Sequence, residues 1–564
     1  MTNVIVTALA SGLSDAEGER VYLDCETTGL DLRTARVRLL TLLVPAGAGR
    51  VVYLIDCFRV DPTTLWQSLA ACEVVGHNLA FDLGFLVRLG FQSGRVRDTM
   101  LLSQVLYASG YAKGTAPVRH GLKDCAVREV GAVLDKGLQT SDWSARLTDE
   151  QIAYAATDVQ VLEPLHRALT TKLAQAGLDR AAAIECSALP AIVWMGAAGV
   201  PIDRNCWKAL AATANADVQQ TQAVLDAAAT QDPSTLFANG WNWDSPDQVK
   251  QALALAGCQV ESTRDDVLAN LDLPLANLLR DYRDARKRET TYGTAWLEHV
   301  SADGRVYPNW VQLGANSGRM ACGSPNMQNL PRGEYRKCFA AGSGRALVKA
   351  DYSQVELRIS AKVSGDQALL AVYQRGEDLH TLTARQVLGI AEVTKEHRQL
   401  AKALNFGLLY GMGATGFRDY ARTTYGVDLT ELQATSYRDT FFKAYPGLRH
   451  WHRSMGNSPR DTRTLTGRRV KGVSQFNEKL NLPVQGTGAD GLKIALALLW
   501  ERRAHCPDAV PILAVHDEIV VECDAERTTE TMAWLRAAMV DAMAPLIEPV
   551  PVEVEVRAGR TWDG

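Results

Sequence analysis

The stretch RALVKADYSQVELR, residues 345–358, decides the fold of the larger part of this chain. Its first half is apolar and β-branched, which predicts a strand over residues 345–353 with Asp351 at its end. Further on, two apolar runs in PILAVHDEIVVEC, residues 511–523, flank a tight His-Asp-Glu corner and predict a hairpin. A single carboxylate at a strand end indicates little by itself, so the meaning of both segments depends on the rest of the chain.

Composition limits the classes of protein. A chain of 564 residues is too long for one core, because single cores stop growing near ~250–300 residues. With 47% hydrophobic and 22% charged residues and a net charge of −4, it has the composition of a globular protein with no overall basic surface. The 11 cysteines form no CxxC pair, which argues against zinc ribbons. We find no run long enough to span a membrane, and the N-terminal segment predicts a first strand rather than a signal peptide.

Residues 1 to about 185 alternate strand-like and helix-like segments, the pattern of an α/β domain. Strands are predicted at 20–26, 37–44 and 50–56, and a helix at 149–169.

The rest of the chain changes character three times. Residues 186–300 are mostly helical and end in a long basic helix over 278–300, whereas residues 301–365 return to strands. Residues 366–485 are helical again, and strands follow. A sheet domain interrupted by helical segments is therefore predicted.

Five residues of the first domain predict a metal site. Asp24 and Glu26 are two apart on a strand and so point to the same side. Asp82 lies just before a helical run, and Tyr154 and Asp158 share one helix face at a spacing of four. Four acids and a tyrosine suit two Mg²⁺ ions about 3.5–4 Å apart, with Tyr154 placed to orient a water molecule.

The order DxE, Nx₃FD, Yx₃D resembles the proofreading 3′→5′ exonucleases of the DEDDy class. This resemblance implies catalytic roles for Glu26 and Tyr154. It implies four metal ligands: Asp24, Glu26, Asp82 and Asp158.

ADYSQVELR (350–358) resembles motif A of the family A DNA polymerases, the DNA polymerase I family. Residues 398–411 resemble motif B of that family, and VHDE (515–518) resembles its motif C. The resemblance implies polymerase metal ligands at Asp351, Tyr352 and Asp517, with two Mg²⁺ ions in each active site and Mn²⁺ able to substitute. It implies four catalytic residues: Asp351, Asp517, Glu518 and Lys402.

Motif B mixes cations and aromatics on one helix face. Arg398, Lys402, Phe406 and Tyr410 recur at spacings of four, and a triphosphate with its base explains that mixture better than a core-facing helix does. The resemblance implies the following dNTP-binding residues: Arg332, Gln354, Glu356, His380, Arg398, Lys402, Phe406 and Tyr410. Glu356 packed with Tyr410 would occupy the space of a ribose 2′-OH.

The DNA contacts are also carried by the resemblance. Donors in the minor groove meet an acceptor at a similar place on every correct base pair, so they test pair geometry without selecting sequence. The implied DNA-binding residues are Arg319, Asn326, Gln328, Asn481, Gln485, His516, Arg283 and Lys287. One departure is Asn477, where the family pattern has an arginine.

The predicted fold is an α/β, ribonuclease H-like exonuclease domain plus an α+β right-hand polymerase domain. The exonuclease takes residues 1–185 and the polymerase 186–564. The polymerase subdomains are predicted as palm 186–204, 301–365 and 486–564, thumb 205–300, and fingers 366–485.

The predicted function is template-directed DNA polymerisation with proofreading, and no 5′ nuclease domain is expected. A degradative exonuclease with an inert extension does not explain motifs A, B and C. A non-catalytic DNA-binding scaffold does not explain clustered acids near phosphate. The compact arrangement resembles a bacteriophage replicative polymerase, with a cellular repair enzyme as the alternative. Expected partners are primer–template DNA, dNTPs and replisome proteins (helicase-primase, single-strand binding protein), with no membrane, for a monomer in the cytoplasm, that of the host cell if phage-encoded.

Overall fold

The computed structural model describes residues 2–6, 18–46, 49–108, 117–229 and 240–564. The chain divides into two compact units, which are treated separately below. The first unit comprises Met1–Ala198, Asn309–Gly323 and Val348–Ala558, and the second comprises Gly199–Pro308, Ser324–Leu347 and Gly559–Gly564.

A six-stranded mixed sheet forms the N-terminal part of the first unit, with strand order β1-β4-β3-β2-β5-β6. Its strands are β1 (Thr2–Val6), β2 (Arg20–Thr27), β3 (Val37–Ala46), β4 (Gly49–Asp56), β5 (Glu73–Gly76) and β6 (Arg95–Asp98). β3 pairs antiparallel with both β2 and β4, whereas the pairs β1/β4, β2/β5 and β5/β6 are parallel. The predicted strands of this domain, including the N-terminal one, are therefore confirmed.

Helices cover both faces of this sheet, and the strand β2 has apolar side chains on each face for them to pack against. Val21, Leu23 and Cys25 pack on one side, and Tyr22 packs on the other against the helix that carries Val159. The helices are α1 (Trp66–Ala71), α2 (Leu79–Arg88), α3 (Thr99–Tyr107), α4 (Leu122–Val130), α5 (Asp149–Ala176) and α6 (Asp179–Ala198).

The expectation that no run is long enough to span a membrane was wrong for α6, which is long and apolar enough by length and composition, although 61% of its apolar window is buried inside the protein. Ala188, Ala191 and Met195 of α6 belong to the core that also contains Val348 and Ala350. A core helix accounts for this composition. The predicted domain boundary at 185/186 falls inside α6, and the domain limits stay predictions.

The remaining elements follow in chain order. They are β7 (Val200–Pro201), α7 (Arg204–Ala228), α8 (Pro246–Leu255), α9 (Asp265–Leu268), α10 (Pro274–Tyr292), β8 (Arg305–Val306), β9 (Asn309–Val311), β10 (Ala321–Gly323), α11 (Glu334–Lys337), β11 (Arg345–Tyr352), α12 (Val355–Ser364), α13 (Gln367–Gln374), α14 (Leu379–Leu388), α15 (Lys395–Leu409), α16 (Ala414–Tyr425), α17 (Glu431–Ala444), α18 (Pro446–Met455), β12 (Arg460–Arg463), β13 (Arg469–Val473), α19 (Phe476–Glu501), β14 (Val510–Val515), β15 (Glu518–Asp524), α20 (Thr528–Ile547) and β16 (Val554–Gly559).

A second sheet of four strands, in the order β14-β15-β11-β16, underlies the larger part of the first unit. The predicted hairpin is β14 and β15, an antiparallel pair in which Val515 faces Glu518. Apolar residues of α19 and α20, such as Leu496 and Met539, share one core with this sheet. The predicted strand content of residues 301–365 was wrong for α12, because Gln354 takes a left-handed conformation (φ 54°) and turns the chain from β11 into a helix.

The second unit is mainly helical. α10 packs on α7 through Leu275 and Leu279 against Val218 and Leu225. The predicted helix over 278–300 ends earlier, at Tyr292, and residues 294–299 form a short 3₁₀ turn instead.

Candidate active sites

The first acidic cluster forms where β2 meets α5. Asp24 and Glu26 lie on the side of β2 that faces α5, and Asp158 reaches them from that helix. One carboxylate oxygen from each of the three lies within 4.8 Å of the others. Asp82, in the first turn of α2, accepts a hydrogen bond from the Cys25 backbone N at 2.9 Å. The structure thus brings three of the predicted ligands together and holds the fourth against the same strand.

Two local features set the positions of these helices. α5 begins with a capping box, in which the side chains of Thr148 and Gln151 each accept from the other's backbone N–H. The start of α2 is held by Asp98, whose carboxylate accepts from the backbone N of Asn78 and of Leu79. Asp82 and Asp158 are therefore fixed to the sheet by interactions outside the site.

Lys136 is a functional candidate that the sequence patterns missed. Its ammonium donates to Asp158 Oδ2 at 2.5 Å and to the Tyr154 hydroxyl at 3.2 Å. The same ammonium lies 5.1 Å from the centre of the Tyr154 ring. Lys136 therefore places a positive charge beside the acidic cluster and holds Asp158 and Tyr154 in one arrangement.

Burial and mutual repulsion govern the charge of this cluster. Burial and the neighbouring Asp158 raise the pKa of Asp24 to about 7. Burial and Asp24 raise the pKa of Glu26 to about 9, and the same two causes raise that of Asp82 well above its ordinary value. Carboxyl groups held this close need a cation before all of them can ionise.

The cluster opens into a cleft of about 770 Å³. Leu30, at the end of the turn after β2, is 83% exposed and lines this cleft, as do Trp143 and Lys123. A cleft with acids at its base and apolar groups beside them fits the end of a nucleic-acid strand, whose bases are apolar and whose phosphates bind metal ions.

The second acidic site lies on the four-stranded sheet. Asp351 stands near the end of β11, and Asp517 occupies the corner between β14 and β15, where His516 has a φ of 58°. The backbone N of Tyr352 lies 3.3 Å from the Asp517 carbonyl oxygen, which ties the two segments together. Burial and repulsion from Asp351 raise the pKa of Asp517 to about 7.

Two neighbours of these acids are buried. Glu518 begins β15 and is 6% exposed. The Tyr352 hydroxyl donates to the Met539 carbonyl at 2.7 Å. The phenol is therefore used in the core, so only the main-chain carbonyl of Tyr352 remains for the predicted metal contact.

Glu356 is held at two corners on the first turn of α12. Arg319 donates to its Oε1 at 2.5 Å, and the Tyr410 hydroxyl donates to its Oε2. Burial and the adjoining Glu356 carboxylate raise the pKa of Tyr410. The predicted pairing of Glu356 with Tyr410 is thus present, and Arg319 joins it.

α15 presents the predicted motif B stripe. Arg398, Lys402, Phe406 and Tyr410 are partly exposed, whereas Leu400, Ala401, Ala403, Leu404 and Asn405 between them are buried. The amphipathic face is therefore the one that the spacing of four predicts.

Arg398 and His380, like Glu356 and Tyr410, have partners within the protein. Arg398 forms an ion pair with Asp378 at 2.8 Å. Burial opposes the charge of Asp378, yet hydrogen bonds from Arg398 and Thr381 lower its pKa to about 2. His380 is 2% exposed and lies 2.9 Å from Asn405 Nδ2, and burial lowers its pKa to about 4. Arg398 would have to leave Asp378 to reach a triphosphate.

α19 places Asn481 and Gln485 one turn apart, both partly exposed. A Cβ at Gly486 would lie 2.8 Å from the Ser317 carbonyl oxygen, so only glycine lets α19 approach the turn before Arg319 this closely. Lys493, further along α19, donates to the Gly318 carbonyl at 2.7 Å. These contacts hold three predicted DNA-contact residues, Arg319, Asn481 and Gln485, on one scaffold.

A buried charge network joins α6 to α19. Glu185 is fully buried and accepts from Lys493 Nζ at 2.7 Å and from Arg468. Arg468 also donates to Asp490 at 2.6 Å. Burial alone would raise the pKa of Glu185, but Lys493 and Arg468 together hold it below its ordinary value.

The residues of the second unit that are predicted to contact DNA or dNTP differ in whether they already have partners within the protein. Arg332 and Lys287 are exposed, and no ion pair is present for either among the described residues. Asn326 accepts from the Gln328 backbone N at 2.9 Å. Arg283 donates to the carbonyl and hydroxyl oxygens of Thr263, and burial lowers its pKa. Arg283 therefore holds a neighbouring loop, and its contact with DNA stays a prediction.

Comparisons with known proteins match both parts of the chain. The family model described as "DNA polymerase family A" matches residues 211–564, and that described as "3'-5' exonuclease" matches residues 2–174. DNA polymerase I of Aquifex aeolicus is 34% identical, over 96% of this chain and 95% of that protein. DNA polymerase I of Pseudomonas aeruginosa is 30% identical over 97% of this chain, which spans 64% of the length of that protein.

Among solved structures, the fold resembles a "POL domain of Pol1 from M. smegmatis" in complex with DNA primer-template and dNTP. The TM-score is 0.80 with 24% identity, over 98% of each chain.

Two acidic sites on these two folds define a DNA-directed DNA polymerase with a 3′→5′ exonuclease. The chain belongs to DNA polymerase family A. The predicted family, fold class and enzyme activity are confirmed, and membership of this family implies that divalent metal ions are used.

Proposed function

We propose that this chain extends a primer 3′-OH on a DNA template, using dNTPs and Mg²⁺, and removes mispaired 3′ nucleotides at the exonuclease cleft during DNA replication. The carrying observation is that one compact unit contains both acidic sites, each with the pKa of at least one carboxyl raised to about 7 or above by burial and repulsion. Such sites gain from a cation, and a protein that only bound DNA would gain nothing from acids near phosphate.

The donor sets suit Mg²⁺. Asp24, Glu26 and Asp158 offer only carboxylate oxygens, the hard ligands that Mg²⁺ prefers, and Asp351 and Asp517 do the same on the second sheet. Bound there, paired Mg²⁺ ions would activate the attacking oxygen and stabilise the leaving oxygen.

The chain's own residues position the incoming nucleotide. Lys402 and Arg398, on the exposed face of α15, bind the triphosphate once Arg398 leaves Asp378. Phe406 packs on the sugar, and Glu356, fixed between Arg319 and Tyr410, fills the place of a ribose 2′-OH. Movement of α15 towards a correct pair completes the site, an induced-fit check on the nucleotide.

Proofreading uses the other cleft. The 3′ end of a frayed primer enters beside Leu30, and its last phosphate lies over Asp24, Glu26 and Asp158. Tyr154 and Lys136 orient the groups around that phosphate.

The biological role is a further part of this proposal. The compact pairing of an exonuclease with a polymerase favours phage DNA replication as a monomer in the host cytoplasm, with helicase-primase and single-strand binding protein as partners. The two matched segments fill most of the 564 residues, so we expect these residues to have no 5′ nuclease activity.

Extension of a labelled primer on a longer template, with Mg²⁺ and dNTPs, tests the assignment. Wild type is compared with Asp351→Ala and with Asp24→Ala/Glu26→Ala. The first variant should only shorten the primer, and the second should only extend it. Each lost activity should fall by more than about 100-fold, because even partners behind a metal ligand are worth 10- to 100-fold. A wild type that shortens primers without extending them would overturn the polymerase assignment.

A further inference from the structure

A second cleft, of about 540 Å³, lies beside the exonuclease site in the same domain. Four arginines line it, together with Phe58 and one carboxylate, Asp61. The arginines are Arg33, Arg36, Arg59 and Arg88. The chain as a whole has a net charge of −4, so this concentration of cations is local. We call it the arginine groove.

The two clefts are built on the same two segments. Residues 27–30 line the catalytic cleft, and residues 32, 33 and 35–37 of the same loop line the arginine groove. α2 contributes Asp82 to the catalytic cleft and Arg88, six residues later, to the groove. Six residues of helix rise by about 9 Å, so the groove begins within a few nucleotides of the reacting phosphate.

The cations of the groove differ in their partners. Arg33 pairs with Asp31 at 3.2 Å, and Arg59 lies 3.5 Å from Asp56. Arg36 and Arg88 are exposed, and neither forms an ion pair with a carboxylate among the described residues. The Arg36 guanidinium lies 4.5 Å from the centre of the Phe58 ring, a cation–π contact that leaves its charge unpaired among the described residues. Two arginines are therefore available to an external anion.

We propose that the arginine groove binds the single-stranded part of the primer that leads into the exonuclease cleft, with Arg36 and Arg88 on its phosphates. Single strands are bound by cations that follow the backbone, and the exposed Arg36 and Arg88 place two such cations in one groove. The strand enters the catalytic cleft by its 3′ end, so the groove receives nucleotides on the 5′ side of the scissile phosphate. The proposal rests on the exonuclease activity of this domain.

Hydrolysis of (dT)₃ and (dT)₁₂ under steady-state conditions tests the groove. In the variant Arg36→Gln/Arg88→Gln, KM for (dT)₁₂ should rise while kcat and the hydrolysis of (dT)₃ change little. The slope of log(kcat/KM) against log[salt] for (dT)₁₂ should fall in magnitude by about 1.4, since each phosphate contact of a single strand contributes about 0.7.

Two controls keep the result interpretable. Arg36→Lys/Arg88→Lys keeps both charges and should keep the salt slope. Arg167→Gln/Arg180→Gln removes two exposed arginines of α5 and α6 and should leave (dT)₁₂ hydrolysis unchanged.

Three outcomes would overturn the proposal. The first is an unchanged KM for (dT)₁₂, and the second is an equal loss on (dT)₃ and (dT)₁₂, which would indicate damage to the catalytic cleft. The third concerns a 12-residue peptide rich in Asp and Glu. If wild type bound that peptide, the glutamine variant did not, and (dT)₁₂ kinetics stayed the same, the groove would be a surface for an acidic protein.

Discussion

The exonuclease and polymerase sites meet the same electrostatic problem with different structures. In the exonuclease, Asp24, Glu26 and Asp158 crowd within 4.8 Å, and Lys136 lies among them as a built-in cation. In the polymerase, Asp351 lies on β11 and Asp517 lies in the turn before the neighbouring strand β15, and a backbone hydrogen bond joins the two segments. A third carboxylate near these two acids, Glu356, is paired with Arg319.

The two sites therefore differ in which residues hold the metal-binding acids in place. The polymerase acids are fixed by the sheet, so the surrounding residues can be used for choosing the nucleotide. In the exonuclease, Asp24 and Glu26 share β2 but Asp158 comes from α5, and a side chain, Lys136, holds Asp158 in place. Changes around the two sites should therefore have different kinds of effect.

The largest effect is expected from Glu356→Ala at the polymerase site. Removing the side chain opens the space for a 2′-OH, and we expect the preference for dCTP over CTP to fall roughly 10- to 200-fold, the range for a pocket that excludes one small group. Single-nucleotide kcat/KM values measure it. Tyr410→Phe keeps the glutamate and should change the ratio less. Unchanged CTP incorporation by Glu356→Ala would show that another group excludes the ribose.

The exonuclease counterpart is Lys136→Met. Asp158 and Tyr154 lose their shared partner, and we expect hydrolysis of a single-stranded primer to slow by roughly 10- to 100-fold, the usual cost of losing a partner behind a metal ligand. Primer extension should stay at the wild-type rate. Lys123→Met, at another cleft lysine, is the matched control. If both variants hydrolysed DNA at the wild-type rate, Lys136 would have no part in holding the site.

A smaller effect is expected at Phe406. Phe406→Tyr offers a hydroxyl where a dideoxynucleotide lacks its 3′-OH, so discrimination against ddNTPs should weaken by about 5-fold, the value of one hydrogen bond of ~1 kcal/mol. Competition between ddTTP and dTTP measures this ratio. Tyr410→Phe, which leaves position 406 intact, serves as the control. An unaltered ratio would place Phe406 away from the sugar.

The last effect concerns the stability of the fold, with no change in activity, in the absence of metal ions. The pKa is about 7 for Asp24 and about 9 for Glu26, both above their ordinary values. Between the ordinary pKa and the raised pKa of each group, the folded state binds more protons than the unfolded state. Stability in EDTA should therefore fall as the pH rises from 5 to 9. Asp24→Asn/Glu26→Gln should flatten that dependence more than Asp517→Asn, whose single carboxyl has a pKa of about 7. Thermal melting between pH 5 and 9 measures this dependence. The same pH dependence of Tm in both variants would contradict the prediction.

Local spacing predicted which side chains share one face of an element, and the resemblance to the family implied the other predicted site residues. The period of two placed Asp24 with Glu26, and the spacing of four placed Tyr154 with Asp158 and aligned the face of α15. Those patterns are confined to one element, which is why Lys136, in a loop 22 residues before Asp158, gave no signal. The pairing of Glu185 with Arg468, 283 residues apart, depends on tertiary packing alone. The helix break at Tyr292 and the turn at Gln354 likewise depend on backbone conformations that composition does not encode.

The network around Glu185 has a practical consequence for shortening this protein. A polymerase fragment that began at residue 186 would delete Glu185 and leave Lys493 and Arg468 buried with Asp490 as their remaining acid. Loss of one partner from a buried ion pair costs about 3–5 kcal/mol, a large share of the stability of most domains. A fragment that began at Asp179 would keep all of α6 and its glutamate, and so would be the shorter polymerase to make.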